Sequence, residues 1–142
     1  MFAKIRCQYA VARYFRDPVA QQPRNIGVIV HCPDERVLAY RFLNDSQLET
    51  IMPKEDAALI RQYVIDLERV RRAMVSGKED KFLGIFSPLR REFLSEVAEN
   101  LGERVSLLPP QPCMTDDPSK ELDRLFSRLT SPPRRRPQVV SG

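Results

Sequence analysis

From Lys4 the chain alternates between apolar and polar positions. Ile5, Cys7, Tyr9 and Val11 fall on one side of an extended segment, and Lys4, Arg6 and Gln8 begin the other. This period of two predicts a β-strand. Beyond Gln8 the second side also turns less polar, through Ala10, Ala12 and Tyr14, which predicts cover on both sides at that end. Residues 16–25 have prolines at Pro18 and Pro23 and no periodicity, so they read as a loop. Ile26 to Val30 is an apolar run that reads as a buried second strand. Pro33-Asp34-Glu35-Arg36 has turn chemistry, and Val37 to Leu43 alternates again as a third strand. A turn this short makes strands two and three an antiparallel hairpin.

The period then changes to that of a helix. Pro53 suits a helix start, Glu55 and Asp56 suit its positive end, and Ala57, Ile60, Val64, Leu67 and Met74 keep helical spacing as far as Gly77. Phe82 to Phe86 reads as an edge strand. Ser87-Pro88 opens a helix with Leu89, Phe93, Val97 and Leu101 on its inner side. Val105 to Leu108 reads as a further strand, and Pro109-Pro110-Gln111-Pro112 is extended. Asp117-Pro118 opens a last amphipathic helix carrying Leu122, Leu125, Phe126 and Leu129. The expectation is an α+β fold, with an antiparallel sheet of three to five strands and two or three helices packed mainly on one face. Residues 1–130 form its single domain, and residues 131–142, rich in proline, arginine and serine, form a disordered basic tail.

Composition supports this picture. A chain of 142 residues, 42% hydrophobic and 30% charged, has enough apolar material for a core. Charge is segregated: residues 61–91 carry a net +4, residues 92–130 a net −4 and residues 131–142 a net +3. The N-terminus lacks the apolar stretch of a secretory signal, and no window is apolar enough for a membrane helix. Cys7, Cys32 and Cys113 are odd in number and far apart in sequence, the usage of a reducing compartment rather than of a disulfide framework. A cytoplasmic protein with unpaired structural cysteines is expected.

No candidate chemistry rises above its structural alternative. The lone histidine, His31, sits next to Cys32, and neighbours on a strand point to opposite faces, so these two cannot pair. There is no local set of zinc ligands and no glycine loop for a phosphate, and neither metal nor cofactor is expected. Asp17, Asp34 and Glu35 lie in loops and keep open a metal-dependent hydrolase or nuclease. Arg61, Arg69 and Arg72 share one side of the long helix, and with Arg134, Arg135 and Arg136 of the tail they keep open a nucleic-acid-binding module. Asp66 and Glu68 interrupt the helix patch.

The segment Tyr9-Ala-Val-Ala-Arg13-Tyr14-Phe-Arg-Asp17-Pro18, then Asn25-Ile-Gly27-Val-Ile-Val, resembles the opening of a bacterial family known as domain of unknown function 3037. Pro110-x-Pro112, Asp116-Asp117-Pro118 and Leu122-x-x-Leu125-Phe126 resemble its end. The resemblance implies no established activity. It implies an accessory protein of the kind encoded beside HipA-like kinases, in a toxin–antitoxin or defence setting. Where the family pattern tends toward glutamate shortly before the asparagine, this chain has Gln22, which favours binding over acid–base chemistry.

The function expected is therefore that of a non-catalytic accessory or adaptor protein that binds another macromolecule, most simply a protein. The expected partner-binding residues are Arg13, Asp17, Arg24 and Asn25, which flank the first loop. Arg13 ends an apolar strand side and needs a partner; an ion pair with Asp17 would supply one and leave Arg24 for the partner protein.

Overall fold

A computed structural model describes residues 4–15, 23–78, 92–98 and 104–130. Among these residues five strands and four α-helices follow one another as β1 (Ile5–Phe15), β2 (Pro23–Cys32), β3 (Val37–Phe42), α1 (Asp45–Ile51), α2 (Lys54–Val75), α3 (Phe93–Ala98), β4 (Val105–Leu107), β5 (Gln111–Thr115) and α4 (Pro118–Thr130). The strands form one antiparallel sheet in the order β3-β2-β1-β4, with β5 also paired to β1. The long β1 is shared: its first half pairs with β5 and its second half with β4. The fold is α+β, and β1 and β2 are its centre.

The burial of β2 explains the layering. Every residue from Ile26 to Cys32 is buried, odd and even alike, so both faces of the sheet are covered. On one face Ala10, Ala12, Tyr14, Ile29 and Leu38 pack under α1, α2 and α3 through Leu48, Ile60, Leu67, Phe93 and Leu94. On the other, Cys7, Val28, Val30 and Cys32 pack under α4 through Leu122 and Leu125. Two or three helices were expected mainly on one face; α1, α2 and α3 share one. The fourth helix takes the opposite face, because the apolar even positions of β2 need cover of their own.

Local signals set the element ends. Asn44 accepts the Gln47 amide at 2.8 Å while Gln47 Oε1 accepts the Asn44 amide at 2.9 Å, a capping box that starts α1. Pro53 precedes the first residue of α2, Glu55 and Asp56 sit in its first turn, and Gly77, at φ +73°, turns the chain out of it. Asp117 Oδ1 accepts the amides of Ser119 and Lys120 at the start of α4. The strand expected at Phe82–Phe86, most of the helix expected from Ser87, and the basic tail lie outside the described residues.

One expectation is corrected. Cys7 and Cys32 are joined by a disulfide, with Cα atoms 4.4 Å apart; Cys113 is free. The 25-residue separation that made them look independent spans the β1–β2 hairpin. Gln8 is opposite His31, so the next rung sets Cys7 against Cys32.

Candidate functional site

Of the expected partner-binding residues, Arg13, Arg24 and Asn25 lie at the paired ends of β1 and β2 nearest each other in sequence. Arg13 and Asn25 are cross-strand partners just past a bulge, where Ala12 still pairs with Gly27 and Arg13 already pairs with Asn25. The Arg13 Nε–H donates to Asn25 Oδ1 at 3.1 Å, and Asn25 Nδ2 donates to the carbonyl of Leu129 in the last turn of α4 at 2.7 Å. Arg13 thus has a partner in a neutral side chain. The expected Arg13–Asp17 pair falls on Asp17, outside the described residues. Arg24 is exposed. Strand alternation puts it on the face opposite to Asn25, so the structure brings Arg13 and Asn25 together and separates Arg24 from them.

The helix arginines are paired within the chain. Arg61 reaches Asp45 and Glu49 of α1, each at 3.5 Å, Arg69 reaches Asp66 at 3.9 Å, and Arg72 Nε reaches Glu68 at 2.9 Å. Glu68 also takes a two-pronged contact from Arg71 and the hydroxyl of Tyr40. Arg71, then Tyr40 and Arg72, hold its carboxyl well below the usual carboxylate range. A second cluster of the same kind lies at the other end of α2: the Tyr14 hydroxyl donates to Asp56 Oδ2 at 2.5 Å, and Arg104 Nη1 donates to the same oxygen at 3.1 Å. Burial, then Asp56, pushes the Tyr14 phenol upward, so it remains a donor. In both, a sheet tyrosine and an arginine share a carboxylate of α2, which ties the helix to the sheet.

The remaining candidate chemistry is dispersed. Asp34 and Glu35 are exposed in the 3₁₀ turn Pro33–Glu35. Among the described residues no three histidine, cysteine or acidic side chains are grouped to hold a metal ion. His31 is fully buried with its ring 5.0 Å from that of Phe93, on the α2 and α3 face. The cysteines pack on the α4 face, so the sheet itself keeps them from His31.

The described surface has an open hollow of about 650 Å³ where β1 begins, between the Pro33–Asp34 turn and β5. Arg6, Gln8, Pro112 and Met114 belong to its walls. They occupy one face because Arg6 pairs with Met114 and Gln8 with Pro112. Met114 is 52% exposed. Gln8 Oε1 is buried and, among the described residues, accepts no hydrogen bond. The sequence pointed elsewhere, to the charged loop, because a hollow made across β1 and β5 has no local signature; its one sequence trace is the pair of glutamine and methionine in strands with polar–apolar alternation.

No helix among the described residues is long and apolar enough to cross a membrane. No curated protein and no solved structure matches the chain. A family model described as protein of unknown function, DUF3037, matches residues 9–130, from within β1 to the end of α4. The chain belongs to the DUF3037 family.

Proposed function

We propose that this is a non-catalytic accessory protein that works by binding another protein, and that the hollow at the start of β1 receives a side chain of that partner. The observation that carries this reading is the unpaired acceptor of Gln8, a residue that lines the hollow. A buried carbonyl oxygen without a donor costs about 1–3 kcal/mol, and a partner that brings an N–H or O–H recovers that cost once the side chain turns its amide to the hollow. Gln8 Oε1 is such an oxygen. Beside it Met114 offers exposed, adaptable apolar surface, and Arg6 and Asp34 stand at the walls as charges of both signs. The combination of apolar contact, one polar anchor and a charged rim suits a protein surface. The internal pairing of Arg61, Arg69 and Arg72 favours a protein over a nucleic acid, since each already has a carboxylate. The family resemblance makes a HipA-like kinase the first partner to try.

The experiment is affinity capture with the full chain, followed by mass spectrometry, and then the same capture with Met114→Asp and with Arg24→Ala. A partner retained by the parent chain and by Arg24→Ala, and lost by a folded Met114→Asp, supports the hollow. Loss with Arg24→Ala alone moves the surface to the hairpin end. If no protein is captured, while labelled duplex or single-stranded nucleic acid is retarded at low salt, the protein-binding reading is wrong.

A further inference from the structure

We propose that Cys113, Cys7 and Cys32 form a thiol–disulfide exchange site, in which the Cys113 sulfur attacks Cys7 and displaces Cys32, so that low-molecular-mass thiols reach an otherwise enclosed disulfide through Cys113. The three residues occupy one rung of three adjacent strands. Cys7 of β1 is bonded to Cys32 of β2 on one side and is the register partner of Cys113 of β5 on the other. All three belong to the layer under α4, near Leu122 and Leu125.

Displacement at sulfur needs the attacking, central and leaving sulfurs close to one line. A rung crossing three strands sets the residues in that order, because the strands of Cys113 and Cys32 both pair with β1, on opposite sides of it. Exposure is graded along the same line. Cys32 is fully buried, Cys7 is 5% exposed, and Cys113 is partly exposed near the sheet edge. A reagent from solvent therefore meets Cys113 first.

The step is balanced without an outside oxidant. The Cys113 thiol loses its proton, its sulfur bonds to Cys7, the Cys7–Cys32 bond breaks, and Cys32 leaves as a thiolate that takes up a proton. One disulfide and one thiol are present before and after. In the second form the disulfide is Cys7–Cys113. A low-molecular-mass thiol attacks its Cys113 sulfur, leaving a mixed disulfide there and a thiol on Cys7. A second molecule of the same thiol releases Cys113 as a thiol, and the two reagent molecules leave joined as a disulfide. The chain gains two electrons in all.

Burial, and then the Glu121 carboxylate of α4, push the Cys113 thiol up, and Arg124 of the same helix opposes them. Tyr9 of β1 also lies near Arg124. The thiolate is therefore scarce at neutral pH, and exchange quickens as the solution becomes alkaline.

The test incubates the oxidised full chain between pH 7 and pH 9. Samples are quenched in acid, unfolded, alkylated near pH 6 and mapped by tryptic peptides, since the three cysteines lie in different peptides. The expected result is label divided between Cys113 and Cys32, with the Cys32 share rising with time and pH. Reduction by glutathione is expected to be severalfold slower in Cys113→Ser and in Cys113→Ala than in the parent chain, provided circular dichroism shows either variant folded. Label confined to Cys113 at every pH overturns the proposal. So does equal reduction of parent and folded variant, and so does a chain that forms no Cys7–Cys32 bond in oxidised glutathione.

Discussion

Gly27 of β2 lies directly against the ring of Phe42 on β3: a Cβ on Gly27 would stand 2.4 Å from Phe42 Cδ2, inside any real contact distance. The two residues are cross-strand partners. The ring in turn meets Tyr63 of α2 edge-on, with centroids 5.9 Å apart. The glycine is there to let an aromatic ring lie flat across the sheet and reach the helix. Gly27→Ala forces the ring away from Tyr63 and is expected to destabilise the fold by about 1–3 kcal/mol. Adding Phe42→Leu to that variant is expected to recover part of the loss, since the two sites share one contact. Urea unfolding of the two single variants and the double variant measures both effects; additive losses would refute the contact.

Much of this fold is legible in the chain because its signals are local. The alternation of Ile5 to Val11, the turn at Pro33–Arg36, the stop at Gly77 and the start at Asp117-Pro118 each act within a few residues. The α1 helix is less legible, since its seven residues offer one buried side chain, Leu48, and its capping box is its main mark. The site residues divide the same way. Arg13 was recognisable as a charge that needs a partner at the end of an apolar strand. Its partner was not, because Asn25 meets it only through the register set by the bulge at Ile26. The disulfide escaped for the same reason: composition speaks to redox setting, while only strand register sets Cys7 against Cys32.

Glu68 gives the stability an acid limb. Its carboxyl sits below the ordinary range because Arg71, Tyr40 and Arg72 all bond its charged form. A carboxylate whose folded pKa is depressed contributes above its unfolded pKa and loses that contribution as pH falls toward the folded value. Stability is therefore expected to decline as pH drops below about 4.3, the ordinary glutamate value. Glu68→Gln is expected to cost about 1 kcal/mol at pH 7, a modest figure because Arg71 and Arg72 are 40% and 77% exposed. It is also expected to flatten this limb. Thermal unfolding from pH 2 to pH 7 checks it, and an unchanged slope would refute the role given to Glu68.

At the alkaline end, Tyr40 is pushed up to about 12 by burial and then by Glu68. A phenol with a raised folded pKa contributes fully below its unfolded value, about 10, and loses that contribution as pH rises toward 12. Stability is expected to fall between pH 10 and pH 12, and less so in Tyr40→Phe. Tyr63 contrasts with it. Burial alone drives its phenol upward, and among the described residues its buried hydroxyl has no hydrogen-bond partner. Tyr63→Phe removes an unsatisfied polar group and keeps the ring against Phe42, so it is expected to raise stability by up to about 1 kcal/mol. A loss in urea unfolding would show that the hydroxyl is satisfied.

Asn25 closes the far end of α4. The last carbonyls of a helix have no partner within it, and Leu129 is the penultimate residue of α4. The Asn25 amide supplies the missing donor at 2.7 Å while its oxygen accepts from Arg13 at 3.1 Å, so one side chain joins β1, β2 and the helix end. Replacing it tests each half separately. Asn25→Ala loses both bonds and is expected to cost about 1–3 kcal/mol. Asn25→Asp keeps an acceptor for Arg13, now charged, but has no donor for Leu129 and sets a negative charge at the negative end of a helix. It is therefore expected to loosen the last turn of α4 while Arg13 stays bound. Arg13→Ala is expected to leave that turn closed. Amide hydrogen exchange resolves the three cases: protection in the last turn of α4 should fall in Asn25→Ala and Asn25→Asp and persist in Arg13→Ala. If it falls equally in all three, Arg13 holds the helix end through Asn25 rather than beside it, and the asparagine is a link in a chain instead of a cap.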